Sequence, residues 1–133
     1  MVNKNFEVVK DLLKALSEGK AGEDLKYFYD PEAIQIEFPN LLSKTIVKRN
    51  LKDILEASLR GKQIISQQNF EVVKSFSVED TVIIEVVWTG ELSISLGKLE
   101  KGNEIKAYFA QFIEFKNGKI VMQRTYDCFE NFI

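Results

Sequence analysis

The chain has 133 residues, 45% of them hydrophobic and 29% charged, with a formal net charge of −2. That mixture suits one globular domain spanning 1–133, is wrong for a disordered chain, and argues against nucleic acid, whose phosphates call for clustered Lys and Arg. With no His and one Cys, an internal disulfide, the usual zinc ligand sets, and Ser-His-Asp or Cys-His catalysis are all excluded.

In chain order, Phe6, Val9, Leu12, Leu13 and Leu16 recur at helical spacing, with Asn5 as the expected cap and Gly19 as the stop. A short second helix is predicted over 23–29, ending at Asp30-Pro31, because proline disfavours helical geometry in the residue before it. Asp30 is expected to cap that turn. Residues 33–38 alternate, with Ile34, Ile36 and Phe38 on one side and Gln35 and Glu37 on the other, the pattern of a half-buried strand. The basic stretch 44–49 is read as a solvated loop, as is 98–106. Asn50 and Asp53 stand at capping-box spacing before a third helix with Leu51, Ile54, Leu55 and Leu59 as its stripe, closed at Gly61. Val, Ile, Phe and Thr then dominate four predicted strands, roughly 64–76, 81–95, 104–116 and 119–129.

Helices toward one end of the chain and strands toward the other give an α+β fold. Three helices are expected in the concave face of a strongly curved, mainly antiparallel sheet, which leaves a cone-shaped pocket. No apolar run approaches the roughly 18 residues of a membrane span, and the opening residues carry no signal-peptide core, so no membrane partner and a cytoplasmic location are expected. No loop for calcium or magnesium is present, and no metal or cofactor is expected.

The turn Lys116-Asn117-Gly118-Lys119 predicts a type I′ hairpin, which pairs residues whose numbers sum to 235. On that register one face carries Phe109, Gln111, Met122, Arg124, Tyr126 and Cys128 and turns to the core; Trp88 joins it by parity with Val82, Ile84 and Val86. A guanidinium cannot shed its proton, so a buried Arg124 needs an answering charge, water or a ligand. Arg124 and Gln111 are therefore the candidate polar floor of a pocket lined by Trp88, Phe109, Met122 and Tyr126. The alternative is that Arg124 reaches the rim and pairs with a surface acid such as Glu85 or Glu37. Hairpin parity sends Asp127 to the outer face, unless a bulge near 125–127 reverses it, and the alternation of its own strand sends Glu37 outward. That outer face, with Tyr108, Phe112, Val121 and Thr125, leaves an apolar patch expected to form a homodimer, unless Phe132 and Ile133 cover it.

The opening amphipathic helix, the F-Y-D-P-E-A stretch at 28–33 and the closing F-K-N-G-K-I…R-T-Y-D-C-F-E at 115–130 resemble the SnoaL-like group of the nuclear transport factor 2-like (cystatin-like cone) superfamily. The resemblance covers nearly all of the chain. It implies the curved sheet, a pocket at one end and homodimers through the sheet. In enzymes of this group a pocket carboxylate abstracts a proton beside a carbonyl while polar donors hold the oxyanion. Ketosteroid isomerase does so with an Asp base and Tyr and protonated-Asp donors. On that analogy Asp127, or Glu37, is the candidate base. Three functions stay open: binding of a small, largely apolar molecule with a carbonyl or carboxylate; a cofactor-independent isomerase or cyclase; and a protein-interaction module.

Overall fold

The computed structural model describes residues 3–133. Helix α1, Lys4–Ser17, starts at Asn3, whose side chain accepts from the Phe6 N–H at 2.9 Å; the cap is thus Asn3 rather than Asn5. A 3-10 helix, Gly22–Phe28, leads into β1, Tyr29–Glu37. Asp30 accepts from the Glu32 N–H across Pro31, the expected turn. Residues Val47–Asn50 form a short strand, β2, where sequence reasoning expects a loop. Helix α2, Leu51–Ile64, opens with the full Asn50–Asp53 capping box and continues past Gly61. Strands β3 (Ile65–Val78), β4 (Thr81–Leu92), β5 (Glu104–Lys116) and β6 (Lys119–Phe129) complete the chain.

The strands form one six-stranded sheet in the order β2-β1-β6-β5-β4-β3, antiparallel except where β1 runs parallel to β6. The helices cover its inner face. Val9, Leu12 and Leu13 of α1 and Ile54 and Leu55 of α2 pack with Val82, Ile84, Val86, Ile113 and Ile120 of the sheet in one buried cluster. A second cluster at the other end gathers Trp88, Leu92, Ile105, Ala107 and Phe132. Phe132 is 4% exposed and its carbonyl accepts from the Lys98 N–H at 2.6 Å. The chain end is therefore pinned to the β4–β5 loop, not laid over the outer face. Among the described residues, no helix is long and apolar enough to cross a membrane.

The β5–β6 hairpin begins as the sequence predicts. Asn117 and Gly118 both have positive φ, 51° and 77°, and the pairs Lys116↔Lys119 and Phe115↔Ile120 follow the expected register. The next pair is Glu114↔Met122, so Val121 is an extra residue in β6. A one-residue insertion sends every later side chain to the opposite face. From residue 122 on, the expected faces of β6 are thus exchanged. Gln123, Thr125 and Asp127 turn inward, while Met122, Arg124, Tyr126 and Cys128 turn outward.

Strand β1 is inverted too. It aligns Gln35 with Gln123 and Glu37 with Thr125, and buries Ala33 in the core. Gln35 and Glu37 therefore look inward, and Ile34, Ile36 and Phe38 join the outer face. There Phe38 stacks on Tyr126 at 4.4 Å between ring centroids, with the planes 9° apart.

Candidate functional site

The cone encloses a cavity of about 640 Å³, within the range of small-molecule sites. Its apolar wall is Ile65, Phe70, Trp88, Ile105, Phe109 and Phe129. Trp88 stacks with Phe109 at 5.5 Å and meets Phe129 edge-on at 6.0 Å. The Trp88 ring lies against Gly90, where a Cβ would come within 2.9 Å of it, so glycine makes room for the indole. The indole N–H donates to Gln68 Oε1 at 2.9 Å, and the Gln68 amide donates to the Leu16 carbonyl at the end of α1. Glu18, Lys20 and Lys62 stand around the exposed mouth.

Besides Glu18 at the mouth, two carboxylates lie within this cavity, Glu37 and Asp127. Glu37 is held by Arg49 of β2, with 3.0 Å between Arg49 Nη1 and Glu37 Oε1, and each side chain is 16% exposed. Asn40 donates to the other Glu37 oxygen at 2.8 Å. Asp127 has no cation in contact among the described residues. Its Oδ1 accepts from the Thr125 hydroxyl at 2.5 Å. Burial pushes the Asp127 carboxyl from its ordinary 3.8 up to about 6; the charge on Glu37 adds to the rise, while the Thr125 bond and Arg49 oppose it. A carboxylate raised in this way is a stronger base than a free one and is still largely ionised at neutral pH.

A band of polar side chains joins the two acids across the inner face. Arg49 donates to Gln35 at 3.2 Å, Gln35 to Gln123 at 3.1 Å, Gln123 to Gln111 at 3.1 Å, and Gln111 to the Thr125 hydroxyl at 3.2 Å. Gln123 and Thr125 are only 6% and 8% exposed. These polar groups are satisfied by one another, which is what lets a sheet carry them inside.

The sequence-predicted residues divide accordingly. Trp88 and Phe109 line the cavity, and Gln111 lies on the inner face beside it. Arg124 does not. It sits on the outer face, pairs with Glu114 at 2.5 Å and lies over the Phe112 ring. Tyr126, 41% exposed, and Met122 lie on that face with it. Gln111 faces Thr125 rather than Arg124. The Val121 bulge is the reason in each case. Asp127 and Glu37, which parity sends outward, are the acids inside. Of the residues expected on the outer face, Tyr108 and Phe112 are there, Val121 is the bulge and Thr125 is buried within.

No protein-family model matches the chain, and no curated protein matches it. Solved structures do. IdmH, a candidate polyketide cyclase from Streptomyces antibioticus, superposes with a TM-score of 0.78 at 18% identity over 94% of this chain and 92% of its own. A candidate SnoaL-like polyketide cyclase from Jannaschia gives 0.74 at 16% identity over 93% and 85%. A nuclear transport factor 2-like protein of unknown function from Burkholderia pseudomallei gives 0.69 at 12% over 97% and 92%. The fold is that of the SnoaL-like, nuclear transport factor 2-like proteins. At such identities the likeness carries the fold and not a reaction.

Among the residues that sequence reasoning misses in this SnoaL-like cone is Arg49, beside Gln35 and Gln123 of the polar band. Composition places it in a solvated basic loop, yet β2 pairs with β1 through Gln35↔Arg49 and turns the guanidinium inward. The available signal is the short stretch Val47-Lys48-Arg49, which alternates just before the capping box and so fits an edge strand.

Proposed function

We propose that the protein binds a small, largely apolar molecule bearing a carbonyl group in the cone and moves a proton at the carbon beside that carbonyl, as an isomerase or cyclase does without a cofactor. The observation that carries this is Asp127: a carboxylate with a raised pKa, without a contacting cation among the described residues, on the wall of a cavity whose surface is mostly apolar. Asp127 is the general base, taking the proton onto a carboxylate oxygen and returning it to another atom of the same molecule. Glu37 is the less suited acid, because Arg49 and Asn40 already occupy its oxygens. Two of the structural neighbours, IdmH and the Jannaschia protein, are candidate polyketide cyclases, which agrees with such chemistry.

A second reading, binding without turnover, is favoured by one contact. The Trp88 indole N–H, a natural donor for a developing enolate, is already given to Gln68. Deuterium uptake from heavy water into a panel of cyclic ketones and polyketide-like diketones separates the two. The wild type is expected to accelerate exchange beside the carbonyl, and Asp127→Asn to lose that acceleration by roughly 10²–10⁴-fold. Exchange of equal rate in the variant would remove Asp127 from the reaction. Ligand-induced thermal stabilisation with no exchange in either protein would leave binding as the function.

A further inference from the structure

We propose that Gln35, Gln123, Gln111 and Thr125 act as positioning residues: a one-way chain of hydrogen bonds runs from Arg49 to Asp127, holds that carboxylate ionised and leaves its second oxygen for the cavity. The chain crosses β2, β1, β6 and β5. Its direction is set at the Arg49 end, because a guanidinium has donors and no acceptor. Gln35 must present its Oε1 to Arg49, which turns its Nε2 to Gln123 Oε1. The same constraint passes to Gln111 and then to Thr125, whose oxygen accepts from the Gln111 amide. The one proton left on Thr125 points at Asp127 Oδ1.

An ionised carboxylate, which only accepts, is the strongest acceptor this polarity can end on. Were Asp127 protonated on Oδ1, its proton and that of Thr125 would face each other and the Thr125 hydroxyl would have to turn away; protonated on Oδ2, it would keep the bond as a weaker acceptor. The chain therefore opposes the burial and the Glu37 charge that favour the neutral acid. Four side chains must also hold one rotamer each for it to exist, which fixes the Asp127 carboxyl in orientation as well as in charge. The other charged groups at the cavity, Glu18 and Lys20 beyond α1 and Lys62 of α2, stand at the exposed mouth and take no part in these bonds.

The functional meaning of the chain rests on Asp127 being the proton-transfer group, but its test needs no turnover. Carbon-detected NMR of the ligand-free protein would follow the Asp127 carboxyl carbon through a pH titration. Thr125→Val is expected to raise the midpoint by about one pH unit, the size of one hydrogen bond to a charged group. Gln123→Met and Gln35→Met never touch Asp127, and each is expected to raise it by roughly 0.3 units or more through lost polarisation along the chain. Arg124→Leu, which removes a cation from the outer face of the same strand, is expected to leave it in place. Unmoved midpoints in both glutamine variants, beside a shift in Thr125→Val, would end the chain at Thr125 and overturn the proposal. A shift as large in Arg124→Leu would reduce the effect to general electrostatics and overturn it equally. Should the buried Gln123 variant not fold, Gln35→Met nearer the sheet edge decides alone. Failure of the deuterium-exchange assay would leave these midpoints standing, so the two ideas fall separately.

Discussion

Asp127 and Arg124 stand three residues apart on one strand and meet opposite surroundings. The Arg124–Glu114 pair is 30% and 42% exposed, the kind of ion pair that contributes no more than about 1 kcal/mol. Arg49 and Glu37 are each 16% exposed, and removing one partner from such a pair costs on the order of 3 kcal/mol. Thermal denaturation of Arg124→Leu and Arg49→Leu should therefore show little change in the first and a drop of several degrees in the second. The reverse order would return Arg124 to the interior. For Asp127 the sign is unusual for a carboxylate. Its folded-state value lies above the ordinary 3.8, so its contribution to stability is fully present at low pH and is lost as pH rises through about 6. Asp127→Asn escapes that loss. Urea unfolding should find the variant as stable as wild type near about pH 4 and more stable by on the order of 2 kcal/mol at about pH 7.5. Equal stability at both pH values would mean that the carboxyl is solvated. A site that is less stable than its own amide variant is what a functional carboxylate looks like in energetic terms.

At the scale of elements, the Val121 bulge decides which residues can do chemistry. Asn117-Gly118 is legible because only residues tolerant of positive φ suit both turn positions, and the faces of β5 follow correctly from it. The bulge is not, although Ile120-Val121-Met122 is an apolar triplet that strict alternation cannot place. Beyond it, parity puts Arg124 inside and Asp127 outside, the reverse of the structure. Strand β1 misleads for a related reason. Apolar alternation identifies the core face only when the other face meets water. Here Ile34, Ile36 and Phe38 lie on an outer face that is itself apolar, while Gln35 and Glu37 answer a polar chain inside. The helices, with their stripes and the Asn50–Asp53 box, depend on local signals and are legible apart from their ends, where α1 is capped at Asn3 and α2 runs on to Ile64. Deleting Val121 would remove the bulge and join Ile120 to Met122 in an unbroken ladder, with every later pair kept, Arg124 outside and Asp127 inside. Such a variant should still unfold cooperatively in near-UV circular dichroism. A deletion variant that loses cooperative unfolding would contradict this register, because it would mean that Arg124, a guanidinium whose unpaired burial costs several kcal/mol, had been driven inside.

For the whole molecule, the sheet has two faces with different tasks. The inner one divides into an apolar core under α1 and α2 and a cavity with a polar wall. The outer one carries Ile36, Phe38, Phe112 and Tyr126 as a connected aromatic and aliphatic surface, with Phe112 edge-on to Tyr126 at 5.9 Å. An apolar face of this kind on a single chain usually meets a partner, and we propose that two copies pair through it. Sedimentation at micromolar concentration should show a dimer for the wild type and a monomer for Phe112→Glu; a monomeric wild type would refute the pairing. The SnoaL-like order of elements is legible in the chain as a whole, since long strands after early helices leave few ways to close a cone. What the cone holds is not legible, because it turns on one inserted residue and on one arginine in a four-residue strand.

The most direct test is the titration of the Asp127 carboxyl carbon in the wild-type protein, followed by NMR without any ligand. A midpoint near 6 places the acid on the cavity wall, poised as a base. A midpoint in the ordinary carboxylate range, near 3.8, would put it in water on the outer face and take the proposed chemistry with it.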